Sequence, residues 1–184
     1  MESSALNEEK LLSGELKNVV EEYHQGYGSE EKRQNLLQVL QNNDCREVIA
    51  KCIDGDGISN AFVWAGYRNH FDILQAFLDQ GMNVGIKNRN GDNTLIYAAI
   101  NGHEESVQLL CNQTSDVSVQ NNDGWTALMI ASANGRKDIV QLLLNRNADI
   151  DLKNSKDKTA LDLASTNEIK EMICNHVNTS YVLK

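Results

Sequence analysis

Residues 124–150 read GWTALMIASANGRKDIVQLLLNRNADI, and the opening of this pattern recurs along the chain at a spacing of 33 residues. The segment 91–99 aligns without gaps with residues 124–132, and so does the segment 157–165. A small residue recurs in register, at Ala65, Ala98, Ala131 and Ala164. A fixed period of this length is typical of a solenoid, in which each repeat is one supersecondary unit stacked on its neighbours.

Each repeat predicts two short helices. Leu128, Ala131 and Ser132 lie at positions i, i+3 and i+4 of the first helix. Gly135 then ends that helix, and residues 139–144 place Ile, Val and Leu on one face of a second helix. Two helices this short cannot bury their apolar faces within one unit, so the core must run between stacked units.

The repeat resembles the ankyrin repeat in its Thr126-Ala127-Leu128 motif, in Gly135 and in the run 139–144. The resemblance covers residues 57–177 and implies an all-α ankyrin-repeat solenoid of stacked helix-turn-helix pairs with hairpin loops. The units implied are residues 57–87, 88–120, 121–153 and 154–177. The last unit is short and polar, which favours a C-terminal cap, and residues 178–184 are expected to form a tail.

The turn after the second helix departs from the family pattern in one unit. A left-handed residue is expected there, and the three aligned positions are Gly81, Thr114 and Asn147. Glycine and asparagine tolerate that conformation, whereas a β-branched threonine does so poorly. The sequence therefore predicts an irregular turn at Thr114.

Residues 1–56 carry three helical patterns without a clear repeat. The first covers residues 8–24 with Asn7 as its N-cap, and Ser29 and Asp44 are the expected N-caps of the next two. The segment is predicted to be a helical N-terminal cap, or degenerate repeats, that continues the stack. An independent helical domain is the alternative.

Composition excludes several classes of partner. The formal net charge is −9 and the pI is near 4.9, so binding to nucleic acid or to an anionic membrane surface is not expected. No apolar run approaches the roughly 18 residues of a membrane span, and the acidic N-terminus lacks the apolar stretch of a secretory signal. The four cysteines have no C-x-x-C spacing, which predicts reduced thiols in the cytoplasm, with the nucleus or a host-cell cytosol as alternatives.

Motifs that carry chemistry are missing from the sequence. The stretch 54–57, Asp-Gly-Asp-Gly, fails the calcium-loop pattern and is interpreted as a turn. His70 and His103 are one repeat apart, so we expect structural rings that hydrogen-bond a neighbouring hairpin. The cysteines, except Cys45, occupy positions that favour core packing. The sequence therefore predicts no enzyme, no catalytic residue, no metal site and no cofactor.

The ankyrin resemblance implies a non-catalytic surface that binds another protein. Its contacts are expected on the concave side, at the hairpin tips and on the exposed face of each first helix. The predicted contact residues are Tyr67, Arg68, Arg89, Asn90, Asp92, Asn101, Asn122, Asp123, Trp125, Asn134, Lys156 and Lys158. Trp125 is expected to be an exposed anchor of that interface; the alternative is a structural ring that lies over an adjacent hairpin.

Three functions remain open at this stage. The first is a monomeric adaptor that binds a protein partner without turnover. The second is an inhibitor or regulator that occludes an enzyme or a transcription factor; the small size and asparagine-rich composition also suit a bacterial effector that acts in a host cell. The third is an enzyme whose site lies in the N-terminal region.

Overall fold

The computed structural model describes the backbone of residues 2–25, 29–50, 57–114 and 116–182. The helices of this part are α1 (Glu2–Gln25), α2 (Glu30–Asn42), α3 (Arg46–Ala50), α4 (Gly57–Arg68), α5 (Phe71–Asp79), α6 (Thr94–Asn101), α7 (Glu104–Gln113), α8 (Ala127–Ala133), α9 (Lys137–Asn145), α10 (Ala160–Leu163) and α11 (Asn167–Val182). The described residues contain one isolated antiparallel bridge, between Lys87 and Asn93. The protein is therefore all-α, as predicted.

The helices stack as pairs. Helices α4, α6, α8 and α10 form an inner layer in which each packs on the next, and each also packs on the outer helix that follows it, α5, α7, α9 or α11. The outer helices contact one another in the same order. Helices α1 and α2 pack on α4 and α5 respectively, so this pair occupies the position before the first repeat.

The alanine register is the closest-packed part of the stack. Ala65, Ala98 and Ala131 have no exposed surface, and Ala164 is 8% exposed. A methyl side chain lets the inner helices approach closely while the neighbouring leucines and isoleucines fill the space between the layers. This part of the prediction is confirmed.

Each hairpin turn is held by an asparagine that repeats with the same period. The side-chain oxygen of Asn121 accepts hydrogen bonds from the backbone N–H groups of Asp123, at 3.0 Å, and Trp125, at 2.9 Å. Asn88 and Asn154 make the same pair of bonds in their own turns. The turn also needs a left-handed residue, which is Gly124 at φ 75° in this hairpin.

The turn after the second helix follows the prediction in all three units. Gly81 and Asn147 are left-handed, at φ 85° and 55°, whereas Thr114 is extended at φ −133° and ψ 146°. The Thr114 hydroxyl instead accepts a hydrogen bond from the backbone N–H of Asp116, at 3.1 Å. The irregular turn expected at Thr114 is therefore confirmed.

Three expectations for the helix starts meet different outcomes. Asn7 is not an N-cap, because α1 already begins at Glu2. Ser29 occupies the N-cap position of α2 but makes no side-chain capping bond. Asp44 accepts a hydrogen bond from the backbone N–H of Arg46, at 3.2 Å, but it lies one residue before the N-cap position, which Cys45 occupies. The turn expected at 54–57 begins outside the described residues, and Gly57 starts α4.

Polar side chains bind the first helix pair to the repeats. Gln80, after α5, accepts a hydrogen bond from the backbone N–H of Cys45 at 2.8 Å and donates to the carbonyl oxygens of Leu40 at 2.8 Å and Asn43 at 3.0 Å. Arg33 of α2 forms two close contacts with the Asp72 carboxylate of α5, at 2.9 and 3.1 Å. Gln80 thus satisfies backbone groups at the end of α2 that the helix itself leaves open.

At the C-terminal end the repeat is reduced. Helix α10 has four residues and starts with a capping box, in which Thr159 and Asp162 satisfy each other's backbone N–H groups. Helix α11 then runs from Asn167 to Val182, so its backbone extends into the segment predicted to be a tail.

Candidate protein-binding surface

The inner helices carry the surface on which partner contacts were predicted. Helices α5, α7 and α9 cover one side of α4, α6 and α8, and the opposite side, together with the hairpin turns, is called the inner face here. The positions of its side chains repeat every 33 residues, but the residue types at these positions differ from one repeat to the next.

Aromatic rings are concentrated at the N-terminal end of the inner face. The Trp64 ring stacks on Tyr67 with centroids 4.9 Å apart and an interplanar angle of 21°. Tyr67 meets Tyr97 edge-on at 5.7 Å, and Trp64 meets His24 edge-on at 5.6 Å. We call these four rings the aromatic row. Offset-stacked and edge-to-face contacts are the favoured geometries for such rings, so the contacts between the rings hold each of them in place.

Of the three residues Trp64, Tyr67 and Tyr97, the middle one in the row is the most exposed. Tyr67 is 36% exposed, whereas Trp64 and Tyr97 are half-buried. Trp64 packs against the core cluster. Burial, and then the Asp92 carboxylate, raises the pKa of the Tyr97 hydroxyl, which hydrogen-bonds side chains of the first hairpin. The row is therefore anchored to the core through Trp64 and to the first hairpin through Tyr97.

Most of the predicted contact residues lie at the surface. The exposed ones are Tyr67, Arg68, Arg89, Asn90, Asn122, Asp123, Asn134, Lys156 and Lys158. The half-buried ones are Asp92, Asn101 and Trp125. Asp92 accepts a hydrogen bond from the Asn121 amide at 2.7 Å, so it links two hairpins.

Asn101 has a structural role within the inner face. Its side-chain amide donates to the carbonyl oxygens of Tyr67 and Tyr97, each at 3.2 Å. These bonds join the end of α4 to α6 directly beneath the aromatic row. Asn101 therefore positions the row, and only part of its side chain reaches solvent.

Trp125 is less exposed than the sequence predicts, and its role as an interface anchor stays a prediction. The residue is half-buried and packs against the core cluster. The Asn121 side chain binds the backbone N–H of Trp125. Lys158 is held in the same way by Asn154 and stays exposed, so the apolar indole ring, and not the turn, accounts for the burial of Trp125. These surroundings also fit the alternative, a structural ring.

Sequence reasoning missed Trp64 and Tyr97, although a signal was present. The two residues are one period apart and lie three positions before Tyr67 and Ile100, which are themselves one period apart. Three residues separate neighbours on one helix face, so Trp64 belongs beside Tyr67. The predicted contact residues were the hairpin tips and the exposed helix positions that the ankyrin resemblance implies, and the positions of Trp64 and Tyr97 are not among them.

The histidines are structural, but their partners differ from the expectation. The His70 ring nitrogen Nδ1 lies 2.8 Å from the Tyr23 hydroxyl of α1, and His103 Nε2 lies 3.0 Å from the Tyr67 carbonyl oxygen at the end of α4. Both rings thus bind the preceding helix pair rather than a hairpin. Burial lowers the pKa of His70 and raises that of Tyr23, which favours the neutral forms of both groups.

The cysteines require two corrections. Cys45, the one residue excluded from core packing, is fully buried. Cys174 is exposed rather than packed, and Cys111 is buried as expected. Cys52 lies outside the described residues. Burial raises the pKa of Cys45 and of Cys111 to about 11, so these thiols are protonated and unreactive at neutral pH.

The described part of the chain contains neither a cluster of metal-binding side chains nor a helix that could cross a membrane. No group of three or more His, Cys, Asp or Glu side chains there is arranged to hold a metal ion. None of its helices combines the length and the apolar character that crossing a bilayer would require.

Comparison with known proteins agrees with the geometry. A family model described as "Ankyrin repeats (3 copies)" matches residues 27–121 and 113–179. These matches cover most of the chain, which therefore belongs to the ankyrin repeat family. The match begins at residue 27, well before the 57–177 of the predicted resemblance. No curated protein matches the chain significantly. Ankyrin repeats are general protein–protein interaction modules and are typically non-catalytic.

Proposed function

We propose that this protein is a non-catalytic adaptor that binds another protein through its inner face. The observation that carries the proposal is the aromatic row, which places one exposed ring, Tyr67, between two half-buried rings. Tyrosine and tryptophan dominate interface hot spots because they offer large, rigid contact area at a low entropic cost.

The surroundings of the row fit a binding surface. Arg68 follows Tyr67 directly and is exposed, and the exposed Asn90 side chain lies in the adjoining hairpin. Such groups form the polar rim that encloses an apolar anchor. The positions are already fixed by Asn101 and by ring stacking, so little ordering entropy is lost on binding.

The remaining features are proposals of the same kind. We propose a monomer in a reducing compartment such as the cytoplasm, which suits the free thiols of Cys45 and Cys111. The segment 1–56 is proposed to continue the stack as an N-terminal cap or as degenerate repeats, on the strength of the contacts of α1 with α4 and of α2 with α5 and of the family match that begins at residue 27. No cofactor, nucleic acid or membrane is part of the proposal.

The test compares two large side chains of equal exposure. Tyr67 on the inner face and Leu161 of α10, at the C-terminal end of the stack, are each 36% exposed. A partner captured by the wild-type chain should bind Tyr67→Ala with a Kd about 30-fold higher, which corresponds to about 2 kcal/mol. Leu161→Ala should bind that partner like the wild type.

The outcome separates the candidate functions. Equal binding of Tyr67→Ala and wild type by calorimetry, with both chains folded by circular dichroism, contradicts the inner face as the binding surface. Activity of the captured partner, measured with and without the chain, distinguishes an adaptor from an occluding inhibitor. Turnover by the isolated chain in a hydrolase screen would overturn the non-catalytic proposal.

A further inference from the structure

An open cavity of about 560 Å³ lies on the side of the stack opposite the inner face. Its lining comes from α5, α7 and α9 alone, that is, from outer helices of three successive repeats. Phe71, Leu109 and Leu142 supply its apolar surface, and Glu104 and Glu105 supply two carboxylates. We call this cavity the outer groove.

One residue of the groove, Phe71, is apolar at a position that is charged in the next two repeats. Phe71 is 42% exposed, and the residues at the same position of the next two repeats are Glu104 and Lys137. Leu109 and Leu142 are half-buried, packed against the core on one side and open to the groove on the other. A large ring at the rim and two leucines in the floor form a continuous apolar strip that the fold itself does not cover.

The two carboxylates of the groove lie at the start of α7, whereas near the end of that helix Arg146 donates a hydrogen bond to the side chain of the lining residue Asn112. Glu104 and Glu105 are exposed at the start of α7, and no cation pairs with either of them among the residues that the structure describes. By contrast, the nearby cation Lys137 is paired with Glu168. An incoming cationic segment would thus meet two uncompensated carboxylates beside an apolar strip.

We propose that the outer groove binds a basic amphipathic helix of a partner protein. A strand is disfavoured because the walls are helices, whose backbone groups are bonded internally and offer no edge for pairing. A helix needs only side-chain packing, with apolar residues at i, i+3, i+4 and i+7 in the groove and lysines or arginines toward the two glutamates.

The length of this helix follows from the spacing of the walls. Packed helices lie about 8–10 Å apart, so a groove that crosses α5, α7 and α9 is about 20 Å long. At about 1.5 Å per residue, a helix of about 13 residues spans it. The site is independent of the inner face, and the inference does not rest on the proposed function.

The experiment titrates the full chain with an 18-residue synthetic helix that carries leucine on one face and lysine on the other. Its matched counterpart carries glutamate in place of lysine. We expect the lysine peptide to bind at least tenfold more tightly than the glutamate peptide in fluorescence anisotropy. Backbone amide shifts in NMR should change along residues 104–112 and 138–142.

Four variants decide whether the groove is the site. Phe71→Ser should weaken binding of the lysine peptide at least fivefold, and Tyr67→Ala should leave it unchanged. Glu104→Lys/Glu105→Lys should weaken it at least tenfold. The control Glu15→Lys/Glu171→Lys changes the net charge equally at exposed positions near the two ends of the stack, and it should weaken binding less than twofold.

Several results would overturn the proposal. Equal losses in the two double variants would mean that the peptide senses only net charge. Shifts confined to the inner face, or tight binding of the glutamate peptide, would place the site elsewhere. Retained affinity in Phe71→Ser would mean that the peptide does not bind to the apolar strip. The exposed Phe71 side chain can be replaced without unfolding the chain, so this result would be interpretable.

Discussion

Two glycine-to-alanine substitutions separate the cost of backbone strain from the cost of a steric clash. Gly81 and Gly124 are both left-handed, with φ of 85° and 75°. An added Cβ at Gly81 meets no heavy atom within 4 Å, whereas at Gly124 it lies 2.9 Å from the Cα of Asn154. The second contact is with backbone of the next hairpin, which cannot rotate away as a side chain could.

The magnitudes follow from these contacts. A left-handed alanine costs about 1–2 kcal/mol, offset by about 0.4–1 kcal/mol because alanine restricts the unfolded chain. We therefore expect Gly81→Ala to lower the free energy of unfolding by about 1 kcal/mol. Overpacking adds about 1–3 kcal/mol, so Gly124→Ala should lose about 2–4 kcal/mol.

The assay is urea unfolding followed by circular dichroism, with Gly81→Ala as the control for strain alone. The expected result is a clearly lower midpoint for Gly124→Ala than for Gly81→Ala. Equal midpoints would refute the reasoning, since they would mean that neighbouring hairpins can separate at no cost and that the stack is not tightly fitted at the turns.

Four further predictions concern the core, the C-terminal end and the thiols. Ala131→Leu should destabilise the chain by about 1–3 kcal/mol in thermal melts, because the inner helices touch at this fully buried position; an unchanged melt would show that the register is wrong. Removal of residues 155–184 should uncover α8 and α9 and cause aggregation, and a monomeric, cooperatively folded product in light scattering and melting experiments would contradict this. Cys174 should be alkylated quickly at pH 8, and Cys45 and Cys111 only on unfolding, as read by mass spectrometry. The pKa of each buried thiol rises from 9.0 to about 11 on folding, so the folded state holds more protons and the free energy of unfolding should fall between pH 9 and pH 11. Stability that stays constant across this window in urea titrations would contradict it.

The features that depend on the 33-residue period could be predicted from the sequence. The alanine column, the two helices of each repeat and the odd turn at Thr114 are all local consequences of residue type at a repeated position. The polar reduced repeat at the C-terminal end has the same origin. Such local patterns do not depend on the contacts that a residue makes with neighbouring repeats.

The burial of side chains on the inner face was predicted less well because it depends on neighbouring repeats. Trp125 follows a hairpin glycine and was expected to be exposed, yet its ring packs against the core cluster. Trp64 and Tyr97 acquire their importance from ring contacts with Tyr67, which only the stacking of α4 on α6 creates. The start of α1 was misplaced because Asn7 is a good cap and nothing local forbids a longer helix.

The hydrogen bonds between successive repeats also bear on how the chain folds. Lys87 reaches the Gln120 carbonyl, Gln120 reaches the Lys153 carbonyl, and Ser165 reaches the Ser132 carbonyl, each across a sequence separation of 33 residues. Closing loops of this length costs little entropy compared with joining distant ends of a chain. Structure can therefore begin in any adjacent pair of repeats and spread in both directions. During synthesis, a repeat can form its stabilising contacts as soon as the next repeat has left the ribosome.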